Sequence, residues 1–153
     1  MKAITIWQPW ASLIMRGARP AVTKRWNYRS RYPHIEGSIV VVYAGGRRPS
    51  GREIMGIKRR IMWGAIQVEI EAALAFFEEI MLAQRIEDAM PLHCGIGTAI
   101  IGTPRRINDE LWEWPLSYPR SFLHPIFTRG RRDIWDWPHC ALSLEQEMLG
   151  RAA

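Results

Sequence analysis

ITIWQPWASLIMRGARPAVTKRWNY, running from Ile4 to Tyr28, reads as a strand, a short helix and a second strand folded into one turn. The apolar run Ile4, Ile6, Trp7 ends at Gln8-Pro9. Proline suits a first helical turn, where no backbone donor is needed. Trp10, Leu13, Ile14 and Gly17 then fall at helical spacing. Gly17 is a natural stop, because glycine takes the left-handed C-terminal conformation cheaply. After Arg19-Pro20, the run Ala21 to Trp26 reads as extended. The turn would set Arg19, Lys24 and Arg25 beside Trp7, Trp10 and Trp26, placing fixed positive charge on an aromatic floor.

The charge around that stretch is lopsided. Residues 1–60 hold 13 Lys or Arg against 2 Asp or Glu, whereas residues 61–100 hold 1 against 6. Such a basic block favours a polyanionic partner, since each neutralised phosphate releases counterions. Arg far outnumbers Lys, and guanidinium groups suit forked phosphate contacts and stacking on rings. Eight Trp among 153 residues add flat faces for bases, although most Trp residues anchor a core. The length fits one domain over residues 1–153. No apolar run approaches a membrane span, so no membrane partner is expected. Met1-Lys2 runs straight into a strand-like segment, so no leader is expected, and Cys94 and Cys140 are read as reduced thiols of a cytoplasmic protein.

Farther along, Tyr28 to Gly37 lacks periodicity and alternates Arg29 and Arg31 with Tyr28 and Tyr32, a loop able to follow a sugar-phosphate chain. Ser38 to Ala44 is the best strand, and its unbroken β-branched run predicts burial on both faces. It opens into Gly45-Gly46-Arg47-Arg48, where glycines would let the backbone approach a ligand. The Gly-Lys-Ser/Thr ending of a nucleotide-phosphate loop is missing. Ser50-Gly51-Arg52-Glu53 has capping-box spacing and opens a helical block at about 50–90. Trp63-Gly64 should break the block. A second helix is expected over roughly Ala65 to Ala89, with Ile66, Ile70, Ala73, Phe77, Ile80 and Met81 inside. Gly97 to Asn108 reads as a bent strand. The final third, with Pro115, Pro119 and Pro125, reads as short and turn-rich, with a strand at 123–128 and a C-terminal helix from Ser143. Strands on both sides of a helical block predict an α+β chain with a small mixed or closed sheet.

Gln8-Pro9-Trp10-Ala11, Gly17-Ala18-Arg19 and Lys24 resemble the signature of the ASCH family (activating signal cointegrator homology), which shows Gly-x-Lys-x-x-Glu/Thr-x-Arg at this place. The loop Tyr43 to Arg48 is similar to that of bacterial and phage stand-alone members. So is the closing pattern Pro125-Ile126, Arg129-Gly130-Arg131 and Ile134-Trp135-Asp136-Trp137. The resemblance implies a small PUA-like mixed β-barrel with flanking helices, a basic cleft between barrel and helices, and RNA binding. Some members are similar to magnesium-dependent ribonucleases, others to amidohydrolases that remove the acyl group from N4-acetylcytidine. Here Arg19 replaces the family Lys, Val22 the Glu or Thr, and Lys24 the Arg. Val22 cannot be a nucleophile, and Arg19 stays protonated and is a poor base. Positive charge survives the substitutions, so anion binding does too.

Other chemistry is weakly signalled. The pairs His93-Cys94 and His139-Cys140 are adjacent residues, whereas structural zinc sites space paired ligands by two or more. No protein metal site is assigned. If magnesium takes part it would ride on RNA phosphates with few protein ligands. His124 and His34 are the histidines read as able to face a substrate, and no glycine-flanked serine elbow is present. The expectation is therefore a nucleic-acid-binding domain preferring single-stranded RNA, with metal-dependent ribonuclease activity admitted. The alternatives are a nucleoside amidohydrolase and a non-catalytic RNA-binding module. Arg19, Lys24, Arg25, Arg47, Arg48, Arg129 and Arg131 would hold phosphates, Trp26 or Trp10 would stack a base, and Tyr43 with Lys24 would do any chemistry. Oligomeric state is not read from the sequence.

Overall fold

Ile39–Ala44 is the strand on which the sheet is built, and its sequence shows why. Val40, Val41 and Val42 are each wholly buried. Successive side chains of a strand point to opposite faces. Val40, Val42 and Ala44 therefore face one core with Ile4, Ile6, Ile96 and Trp114. Val41 and Tyr43 face another with Ala3, Phe122, Trp135 and Trp137. Each fully buried Val or Ile among them contributes roughly 1.5–3 kcal/mol. The expectation of burial on both faces is met.

The computed structural model describes residues 1–25, 32 and 34–138. Along them lie β1 (Lys2–Ile6), α1 (Trp10–Met15), β2 (Ala21–Lys24), β3 (Ile39–Ala44), α2 (Gly51–Met62), α3 (Ile70–Leu82), α4 (Ile86–Ala89), β4 (Cys94–Ile101), β5 (Arg105–Arg106), β6 (Trp112–Phe127) and β7 (Ile134–Asp136). The sheet order is β2-β6-β4-β3-β1-β7, with β5 against β6. β1 and β3 are parallel, and the other pairs are antiparallel. The sheet curls. Lys24 at the end of β2 reaches the main chain of β1, although β6, β4 and β3 separate those strands in the order. The chain is α+β with a barrel-like sheet and flanking helices. No helix among the described residues is long and apolar enough to cross a membrane.

The helices form a second layer. Leu13 and Ala18 join Ile54, Ile61, Ala73, Phe76, Phe77 and Met90 in a core of their own. Ala11 and Ile14 of α1 face the sheet instead. Trp10 packs against both cores and so marks the seam between barrel and helices. The Ser50 capping box forms as read: the Ser50 hydroxyl accepts from the Glu53 N–H, and the Glu53 carboxylate accepts from the Ser50 N–H.

The block beyond Trp63-Gly64 differs from its reading. The Glu69 carboxylate caps a shorter helix by accepting from the N–H groups of Glu71 and Ala72, and Ala65 to Val68 stay outside it. Ile70 and Met81, expected inside, are exposed, because the buried arc is set by Ala73, Phe76 and Phe77. The final third also differs. Pro115, Pro119 and Pro125 lie within a single 16-residue strand, β6. Proline is tolerated where a ladder shifts, and the pairing with β4 shifts register twice, beside Pro119 and beside Pro125. Trp26, Tyr28, Arg29, Arg31, the pair His139-Cys140 and the helix expected from Ser143 lie outside the described residues.

Candidate functional site

β1 and β3 run parallel and end at the same rim of the sheet. β4 and β7 start there and β6 ends there, because each is antiparallel to its neighbour. The rim therefore gathers Trp7 after β1, Gly45 to Arg48 after β3, His93 before β4, and Thr128 to Asp133 between β6 and β7. Loops leaving the carboxyl ends of parallel strands are favoured places for ligands. The loop 128–133 is pinned to the strands beneath it. The Thr5 hydroxyl donates to the Arg131 carbonyl, the Trp135 indole N–H donates to the Thr5 hydroxyl, and the Thr5 N–H donates to the Asp133 carbonyl.

Beside this rim, between the start of α1 and the flank of α2, opens a cleft of about 360 Å³. Trp7, Trp10, Arg47, Glu53, Ile57 and Arg60 are among its lining residues. The Arg47 guanidinium lies 5.2 Å from the centre of the Trp7 ring, and that of Arg19 lies 5.0 Å from the centre of the Trp10 ring. Stacking of this kind contributes about 0.5–1 kcal/mol at exposed sites and holds each cation in one place. Arg47 also donates to the Glu53 carboxylate. Hydrogen bonds from the Ser50 N–H and from Arg47 hold the Glu53 carboxyl below the usual carboxylate range. Burial lowers the Arg19 pKa, with Glu113 opposing and Arg60 adding to the shift. Arg60 thus lies close enough to Arg19 for the two charges to act together. Arg60 is exposed and has no carboxylate partner among the described residues.

The remaining residues read from the sequence disperse around this centre. Lys24 donates to the Thr5 carbonyl at 2.8 Å. Burial lowers its pKa, and Asp133 pulls it back up. It supports the rim from below. Arg48 turns to Glu87 on α4 at 2.9 Å, and the Arg131 charge acts on Asp136. Arg25 and Arg129 are exposed.

Tyr43 is a correction. Its ring is only 2% exposed, and its hydroxyl donates to the Thr128 carbonyl at 2.8 Å. Trp135 meets it edge-on at 5.3 Å, and a Cβ at Gly130 would fall 2.2 Å from it. Burial raises its pKa, keeping the phenol protonated. Tyr43 pins the 128–133 loop and presents no group to the cleft. The glycines of Gly45-Gly46 are corrected as well. The space a side chain would need is taken by the Trp7 indole at Gly45 and the His93 imidazole at Gly46, so they make room for the protein's own rings.

Glu53 and Arg60 were not singled out as site residues. The Ser50-x-x-Glu53 spacing marked Glu53 as a helix start, and that same signal places its carboxylate six residues past Arg47. Arg60 carries no such signal in the sequence. Among the described residues no three His, Cys, Asp or Glu side chains come together as a metal-ligand group. Cys94 is fully buried, and burial pushes its thiol up to about 12. No family model matches the chain, and no curated protein matches it.

Proposed function

We propose that this chain is a binding module for single-stranded nucleic acid, RNA in preference, that engages its ligand at the cleft between barrel and helices. One observation carries the reading: two tryptophans of one cleft region each hold an arginine against the ring, with Arg60 alongside. An aromatic face for a base next to guanidinium groups for phosphates is the combination that unpaired strands require. The ASCH resemblance around Gln8-Pro9-Trp10 and the basic balance of residues 1–60 support the same reading.

Turnover is not part of the proposal. Of the two residues read as catalytic, Tyr43 is enclosed and Lys24 is tied to the Thr5 carbonyl. The deacylase alternative gains no support, because Val22 is buried in β2 opposite Trp114.

The test is a salt series of fluorescence-anisotropy titrations with a labelled single-stranded RNA and its duplex. The single strand should bind more tightly. Arg47→Ala and Arg60→Ala should each weaken binding of all sequences, and each should reduce the salt slope by about 1. Equal binding of duplex and single strand, or slopes untouched by both substitutions, would remove the cleft from consideration.

A further inference from the structure

Glu53 is out of place in a phosphate-binding cleft, and its surroundings say what it is for. It is the acidic side chain among the lining residues, and the side chains around it are donors: two indole N–H groups and the guanidinium groups of Arg47 and Arg60. Gln8, which also lines the cleft, has its amide committed: it donates to the Pro91 carbonyl and accepts from the Ser12 N–H. One Glu53 oxygen accepts from Arg47 and the other from the Ser50 N–H. A carboxylate has about four acceptor sites, so roughly one remains on each oxygen. The two existing bonds, one to each oxygen, also hold the group in a single orientation.

From this geometry we infer that the cleft is a guanine-nucleotide subsite, with Glu53 as the residue that selects the base. This rests on the nucleic-acid reading of the cleft. Guanine alone among the four bases presents two adjacent donors, N1–H and the 2-amino group, along its pairing edge. Two acceptor sites on neighbouring oxygens match that pair, and bonds to an ionised acceptor are the stronger kind. Adenine and cytosine place a ring-nitrogen acceptor beside their amino group. Uracil flanks its single N–H with two carbonyl oxygens. Each of these would set a lone pair against the carboxylate. Trp7, 58% exposed, offers the ring on which the base stacks. Arg60 is placed for the phosphate. A volume of about 360 Å³ lies near the lower end for ligand pockets and suits one nucleotide rather than a stacked run.

The same chemistry could come from a free guanosine 5′-phosphate or from a guanosine inside a strand, so the test has an arm for each. In calorimetric titrations of the wild-type protein, guanosine 5′-phosphate should bind about tenfold more tightly than the adenosine and uridine monophosphates. Inosine 5′-phosphate, which keeps N1–H and lacks the 2-amino group, should fall between. A uridine oligonucleotide carrying one guanosine should outbind the all-uridine strand, and should do so even if free nucleotides are held too weakly to measure. Glu53→Gln keeps an acceptor for the Ser50 cap, and it should erase the guanine preference, bringing the guanosine and adenosine monophosphates to equal affinity.

Equal affinity for the guanine and inosine nucleotides and for both strands would overturn the inference in the wild type alone, whatever the variant's stability. So would a guanine preference that survives Glu53→Gln. Salt-dependent binding of every strand without a guanine preference would overturn only this inference. Absence of binding by any strand would overturn the underlying reading with it.

Discussion

Trp7 and Trp10 differ from Trp135 and Trp137 in what covers their rings. Trp135 and Trp137 are 6% and 5% exposed and close over Tyr43 at ring separations of 5.3 and 6.4 Å. Trp7 is 58% exposed and Trp10 partly so, and an arginine lies against each. The chemistry of an indole is the same in both places. What differs is whether apolar neighbours cover both ring faces or leave one to a cation and to solvent. A tryptophan ring stays open where packing stops.

The comparison breaks most visibly at Trp135. Trp135→Ala should cost about 3–5 kcal/mol in urea denaturation, as large-to-small changes of buried aromatic residues do. Trp7→Ala should cost under about 1 kcal/mol yet weaken oligonucleotide binding by about 1–3 kcal/mol, the worth of one stacked base. If Trp7→Ala unfolded the protein while Trp135→Ala left it stable, the division between core and cleft would be drawn wrongly.

Tyr43→Phe sharpens the boundary. It deletes the hydroxyl that reaches the Thr128 carbonyl, and should lower stability by about 1 kcal/mol with RNA affinity unchanged. Loss of binding without loss of stability would return Tyr43 to the site.

The smallest effect is expected at the exposed edge. The Asp136 carboxyl is held below its usual range, first by the hydrogen bond from Lys2 and then by the Lys2 charge. A depressed carboxyl contributes stability that is present above its unfolded pKa, about 3.9, and is lost as pH falls through the lower folded value. Asp136→Asn should therefore lower the denaturation midpoint slightly at pH 7 and not at all at pH 2. The pair is exposed, so the pH 7 difference should shrink in high salt.

Local signals were legible where a residue's neighbours in sequence are also its partners in space. The Ser50 cap, the Trp63-Gly64 break, the strand ending at Ala44 and the α1 turn all appear as read. Reading failed where a distant segment decides the outcome. Pro119 and Pro125 of β6 looked like turns until β4 supplied the shifted register beside them. Tyr43 looked like a group at a loop mouth until Gly130, Trp135 and Trp137 closed around it from the far end of the chain. Glu53 was visible as a cap and invisible as a cleft residue, because the cleft also needs Trp7 and Trp10.

By itself the sequence determined an α+β chain with its basic charge concentrated in residues 1–60, since periodicity, caps and charge are carried by neighbouring residues. Only the tertiary structure decided which of those charges share a cleft. The parallel β1–β3 pair brings Trp7 and Arg47 to one rim, and α2 packs beside it to add Glu53 and Arg60. Arg48 leaves for the Glu87 carboxylate on α4. Convergence of that kind depends on strand order and packing, and no spacing along the chain encodes it directly.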